Sequence, residues 1–342
     1  MWRSSRGERE VMGATLADAA LTVLLAAVAS IVCGRLMIPA LARAQGMAPR
    51  RYDDCPPLAK YQEAKRRTPS MGGVFVLAAA SGAAALGGGL RHRDGWLVLF
   101  AIVALGATGL CDDWLKFRGE NAVGLRSMPK LAVALAVGAA LGVIMTMDSG
   151  SHGTLEFPWV RRTVDLGWGL VPFAMLVTAG CAHAVNLSDG MDGLAAGCVG
   201  IALAAAGLWA MQQDDPRSRA LVMWCAALAG ACLGFLWFNS FPATIFLGDV
   251  GALGLGAGLA AVSLLGHTAL WLPIIGGVFV LEALSVMLQV ASYRWRNKRR
   301  IFRVAPLHHH FHLGGVAEPK LTVRFWIVGV LLAMLGLTTV LP

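Results

Sequence analysis

Apolar and polar residues in this chain are sorted into long blocks. Ten apolar stretches, at about residues 17–40, 71–90, 96–111, 131–147, 167–188, 193–213, 220–238, 250–265, 268–291 and 325–342, carry almost no formal charge, and polar segments separate them. At ~1.5 Å of rise per helical residue, each is roughly long enough to cross the ~30 Å hydrocarbon core of a bilayer. None alternates with the period of two that a barrel strand needs. A helix satisfies its backbone polar groups within one segment, as lipid demands. The pattern therefore predicts an all-α integral membrane protein, with residues 1–342 forming one bundle of about ten transmembrane helices. Gly and Ala crowd several stretches, as at Ser81–Gly89 and Gly251–Ala261, and such small residues let helix backbones approach closely.

Composition supports lipid as the main solvent. Hydrophobic types make up 57% of the 342 residues, and Asp, Glu, Lys and Arg only 14%, against about 25% in soluble domains. Soluble enzymes, secreted domains and disordered chains are excluded. The net charge of +9 is read as topology and not as nucleic acid binding. Seven cysteines, none in a CxxC pair, sit mostly in apolar runs and are expected to pack as small hydrophobes.

Ten spans place both termini on one side and divide the nine loops into odd and even sets. The odd loops hold 18 of the 29 Lys and Arg residues, among them Arg43, Lys65, Lys116, Lys130 and the run from Arg294 to Arg303. The positive-inside rule then makes the odd loops cytoplasmic and both termini external. The unusual polar clusters obey the same division. CDDWLK (111–116), NLSDGMDG (186–193), FLGDVG (246–251) and PLHHHFH (306–312) lie in odd loops or at the adjacent span ends.

Taken singly, each cluster has an ordinary explanation. Asp112 and Asp113 suit a helix end, and Asp189, Asp192 and Asp249 sit beside glycines as turn residues do. Glu282 and Gln289 would serve as hydrogen-bonding glue between helices, and His183 as a packed histidine. Those explanations do not predict that the clusters, apart from mid-span Glu282 and His183, converge on one membrane face. Carboxylates without basic neighbours repel unless a cation screens them, and hard oxygen donors suit Mg²⁺. Adjacent histidines without cysteines do not match zinc spacing, so His308 and His309 are expected to donate to phosphate oxygens.

These motifs resemble the polyprenyl-phosphate N-acetylhexosamine-1-phosphate transferases of glycosyltransferase family 4. Six pieces carry the likeness from about Lys65 to Leu337: KRRTPSMGG, CDDWLK, NLSDGMDGLA, WFNSFPATIFLGDVGALGLG, LEALSVMLQV and RIFRVAPLHHHFHL. The TPSMGG and HHH segments point to the muramoyl-pentapeptide branch. The resemblance implies transfer of a phospho-N-acetylmuramoyl pentapeptide from its UDP conjugate to undecaprenyl phosphate, giving lipid I and UMP in peptidoglycan synthesis at the bacterial cytoplasmic membrane. It implies Mg²⁺ on Asp249, with Asp112 and Asp113 orienting or deprotonating the lipid phosphate and Lys116 offsetting charge. Asn186, Asp189, Asp192, Asn239 and Phe246 would line the nucleotide cleft, with Phe246 stacking on uracil. Lys65, Ser70, Gln289, His308 and His309 would complete that pocket. Family members are commonly homodimers.

The chain departs from the family pattern at Ser70 (usually Thr), Arg67 (Gly), Ala252 (Ser) and His312 (Glu), and it matches poorly over 52–62. An alternative donor, UDP-N-acetylglucosamine, would keep the chemistry and change the sugar. A transporter would place its site at the midplane and show an internal repeat, and neither feature is evident.

Overall fold

The computed structural model describes residues 6–45, 63, 65–118, 124–148, 154–159, 162–213 and 215–338, with side chains of the first helix from Gly13 onward. The divergent segment 52–62 lies outside the described residues. Helices dominate: α1 Arg6–Gln45, α2 Gly73–Leu86, α3 Arg93–Arg118, α4 Ser127–Met147, α5 Leu170–Ser188, α6 Leu194–Ala210, α7 Pro216–Asn239, α8 Gly248–Leu265, α9 Leu272–Ile275, α10 Gly277–Trp295, α11 Leu307–His312 and α12 Glu318–Leu337. Every predicted apolar stretch falls on a helix. Among the described residues, eight helices are long and apolar enough to span a membrane, while α2 and α6, at 14 and 17 residues, are shorter.

Three boundaries differ from the hydropathy reading. The stretch 268–291 is broken, because Pro273 starts the short α9 and Gly276 ends it before α10 begins. The last helix starts at Glu318, seven residues before its apolar run, with Pro319 in its first turn. In α3 the helix continues past Cys111 to Arg118, so Asp112, Asp113 and Lys116 are helical residues and not a terminal cap. Two short antiparallel strands that hydropathy did not reveal, β1 Thr154–Glu156 and β2 Thr163–Asp165, pair Thr154 with Asp165 and Glu156 with Thr163.

The innermost helix is α8, in which all but Asp249 is buried. It packs on α3 and α5, while α1 lies along α7 and α4 along α5. Gly109 permits the close approach of α3 to α8: a Cβ there would stand 2.2 Å from the Asp249 carbonyl oxygen. At the other end of the bundle, Asp148 after α4 binds Arg93 of α3 at 3.1 Å and Arg217 of α7 at 3.3 Å. Leucines, valines and aromatic residues on the outer faces, such as Leu36, Leu176 and Leu331, are exposed as lipid-facing side chains should be.

Candidate active site

Close packing of α3 on α8 sets the C-terminal turns of one helix beside the N-terminus of the other. This brings Asp112, Asp113 and Asp249 together, with one carboxylate oxygen of each within 4.8 Å of the others. Asp112 is completely buried and Asp113 nearly so. Each is oriented by a backbone donor: Leu125 N–H to Asp112 Oδ1 at 2.7 Å, and Val250 N–H to Asp113 Oδ2 at 3.1 Å.

Two ammonium groups sit among the three carboxylates. Lys116, one helical turn beyond Asp112, contacts it and lies 3.1 Å from Asp249 Oδ1 and 3.9 Å from Asp113. Lys130, from the first turn of α4, lies 3.0 Å from Asp249 Oδ2 and 3.3 Å from Asp112 Oδ1. Sequence reasoning counted Lys130 only as a topological charge. Its signal was present, since it stands in a loop of the same face, but nothing in the spacing tied it to an aspartate 119 residues away. Asn186, at the end of α5, completes the group by donating to Asp249 Oδ2 at 3.4 Å.

The same turn carries Asp189, whose carboxyl is pushed up to about 7 by burial and by the nearby charges of Asp249 and Asp113. Two lysines thus do not exhaust the negative charge gathered here. A set of hard oxygen donors with surplus negative charge fits a divalent cation such as Mg²⁺ and not a soft metal.

A second network lies beside the first. Lys65 bridges Asp192 Oδ1 at 2.6 Å and Glu318 Oε1 at 2.5 Å, and Asp192 takes a further bond from Ala243 N–H at 3.0 Å. Burial raises the Asp192 carboxyl, while Lys65 and that backbone bond oppose the rise. Glu318 also accepts from Asp192 N–H at 2.8 Å. Glu318 is a second residue that sequence reasoning missed, because it stands outside the motifs and before the last apolar run.

Backbone pairing joins the two loops that flank the aspartates: Phe246 N–H donates to Pro69 O, and Gly72 N–H donates to Phe246 O. Ser70 is held from α1, where the Gln45 amide both accepts from its N–H (2.7 Å) and donates to its carbonyl (3.1 Å). Phe246 remains half-buried and Ser70 partly open.

Two residues expected in the pocket have their amides bonded to main chain. The Asn239 amide accepts from Gly193 N–H at 3.0 Å and donates to Ile245 O at 2.9 Å, tying the 189–193 turn to the 240–247 loop. Gln289 accepts from the N–H groups of Ile301 and Phe302 and donates to Phe302 O, so its amide anchors the loop before α11. In both cases a buried or half-buried amide finds its partners in nearby main chain, which competes with any ligand.

The histidine helix α11 reaches the same turn. His308 and His309 are buried with ring centroids 4.2 Å apart, and a Cβ on Gly190 would stand 2.3 Å from His308 Nε2 and 3.3 Å from His309 Nε2. Burial, together with the neighbouring His308, His312 and Lys65, pulls His309 down to about 3, so it is neutral at pH 7. His310 instead accepts from Arg303 N–H at 3.1 Å. Glu282, read as interhelical glue, is completely buried and pairs with His308 at 2.9 Å. Of the departures from the family pattern, Ala252 is a fully buried packing position in α8, and His312 meets Val316 O at 3.2 Å.

Residues 95–267 match the model of glycosyl transferase family 4. The chain is 40% identical to the phospho-N-acetylmuramoyl-pentapeptide-transferase of Thermodesulfovibrio yellowstonii over 290 residues, 80% of each protein. It is 42% identical to the protein of that name in Citrifermentans bemidjiense over 288 residues, again 80% of each. With the namesake from Dichelobacter nodosus the identity is 42% over 335 residues, 94% of this chain and 91% of the relative.

Proposed function

Because the chain belongs to the phospho-N-acetylmuramoyl-pentapeptide-transferase family, within glycosyl transferase family 4, we propose that it makes lipid I from a UDP-linked muramoyl pentapeptide and undecaprenyl phosphate. An oxygen of the lipid phosphate bonds to the sugar-proximal phosphorus. The bond from that phosphorus to the bridging oxygen breaks, and UMP leaves with the electron pair. The observation that carries this reading is the meeting of Asp112, Asp113 and Asp249 with Lys116 and Lys130 at the ends of packed helices.

Phosphoryl transfer asks a protein mainly for positioning and for charge neutralisation. Asp249 is assigned to hold Mg²⁺, flanked by Asp112 and Asp113; when bound, the ion neutralises diphosphate charge as a Lewis acid. Asp112 and Asp113, fixed by main-chain donors, orient or deprotonate the lipid phosphate. Lys116 and Lys130 place positive charge where phosphate oxygens approach. Phe246 offers a flat face for uracil, and Asn186, Asp189, Asp192, Lys65, Ser70, His308 and His309 line the cleft. Asn239 and Gln289 act through the loops they hold.

The uneven spread of Lys and Arg supports a cytoplasmic site with both chain termini outside, which lets a soluble nucleotide enter while the prenyl tail stays in lipid. Residence in the bacterial cytoplasmic membrane and a homodimeric state belong to the same reading.

Purified protein given the UDP-muramoyl pentapeptide, undecaprenyl phosphate and Mg²⁺ is expected to release UMP, and UDP-N-acetylglucosamine is expected to yield little. The absence of UMP in conditions where a related transferase works overturns the assignment. A preference for UDP-N-acetylglucosamine transfers it to the other sugar.

Lys130→Met removes one of the two cations that join Asp112 to Asp249 while keeping the apolar stem. Its kcat for UMP release is expected to fall about 10²-fold. A fall below threefold would return Lys130 to a purely topological role.

A further inference from the structure

A carboxylate in mid-span with no exposure is costly unless fully engaged, and Glu282 is engaged by one residue twice. His308 N–H points at both of its oxygens, 3.2 Å from Oε1 and 3.4 Å from Oε2, and His308 Nδ1 lies 2.9 Å from Oε2. A main-chain N–H only donates, so the carboxylate that receives it is marked as an acceptor. With both carboxylate oxygens facing the main-chain donor, the ring bond is completed most simply by a hydrogen on Nδ1. The other ring nitrogen, Nε2, is buried without a partner among the described residues and faces Gly190 in the 189–193 turn.

We propose that Glu282 is a positioning residue that fixes His308 as the Nδ1–H tautomer, so that Nε2 meets the substrate side of the 189–193 turn as a hydrogen-bond acceptor. This rests on the transferase reading for what occupies the cleft, but not for the tautomer itself. It reverses the expected direction of the bond: Nε2 of that tautomer receives a hydrogen from an N–H or O–H of the bound donor and does not give one to a phosphate. Carboxylate–imidazole pairs orient rings in this way wherever one nitrogen must be kept bare.

Nitrogen-15 spectra of the full-length protein in lipid nanodiscs, labelled at histidine, read the tautomer directly, with His308 signals identified by their loss in His308→Asn. The wild type is expected to show a protonated Nδ1 and a bare Nε2 at pH 7.5. Glu282→Gln keeps the side-chain volume and can face Nδ1 with either end of its amide, so it is expected to mix the two tautomers. In UMP release its kcat is expected to fall about 10- to 100-fold, with KM for the UDP donor changed less than threefold. A wild-type His308 with its proton on Nε2 overturns the proposal without any variant. An unchanged tautomer in folded Glu282→Gln, or unchanged kcat despite a mixed tautomer, overturns it too. Failure of the wild type to release UMP sinks the transferase reading and leaves the tautomer result standing by itself.

Discussion

Replacing Asp249 by Asn is expected to abolish UMP release, with kcat down by at least ~10³-fold, while the purified protein keeps its helical content and elutes as the wild type does. Asp249 is the hub of the polar cluster: Lys116, Lys130 and Asn186 all converge on its two oxygens. The effect of the substitution concerns what the site can attract. Asparagine preserves size and one acceptor, and it removes the anionic charge that a hard cation requires. Losing charge stabilisation in phosphoryl transfer routinely costs ~3–4 kcal/mol of barrier for a single group, about 10²- to 10³-fold, and more where a metal site is lost with it. Titrating Mg²⁺ separates the two contributions. If raised Mg²⁺ restores the variant to within tenfold of wild type, Asp249 is an auxiliary ligand and the assignment of the metal moves to Asp112 and Asp113.

The second large effect comes from a residue with no functional group. Gly109→Ala would place a methyl 2.2 Å from the carbonyl oxygen and 2.4 Å from the carbonyl carbon of Asp249. Both are backbone atoms, so no side chain can swing aside. The helices α3 and α8 must separate by about 1 Å to reach ordinary van der Waals distance, and overpacking of this kind costs ~1–3 kcal/mol of stability. The separation acts on the bond from Val250 N–H to Asp113 and on the spacing of Asp112 from Asp249. A misplacement of ~1 Å at reacting groups is worth about 10² in rate. Gly109→Ala is therefore expected to lose about 10²-fold in kcat with a melting temperature lowered by only a few degrees. Gly82→Ala, on α2 with open space around it, is the control and is expected to behave as wild type. Equal activity of the two variants would show that helix spacing at Gly109 is not what sets the aspartate geometry.

Hydropathy made the bundle legible because lipid leaves so few solutions: an apolar run of span length has to be helical. It misplaced ends where chain chemistry overrode mean hydropathy, as at Pro273 and Gly276, which split one run, and at Glu318, where a helix begins among polar residues. The aspartates were legible for the opposite reason, since charge is scarce and every carboxylate at a span end stands out. What stayed hidden was pairing across long sequence separations. Lys130 looked like a topology signal and Glu318 drew no notice, because their partners are 119 and 126 or more residues away. Asn239 and Gln289 were visible as polar residues near the motifs. Their commitment to main-chain groups depends on loop conformation, on which residue types say little.

Glu318 has a consequence for biogenesis. It grips Lys65 and the N–H of Asp192, yet it is synthesised after both. All the aspartates and the histidine helix are synthesised before it, so a nascent chain holding every other element of the cleft still lacks the carboxylate that fastens two of its walls. The fastening of the two walls thus depends on a segment that must close on residues made some 250 positions earlier.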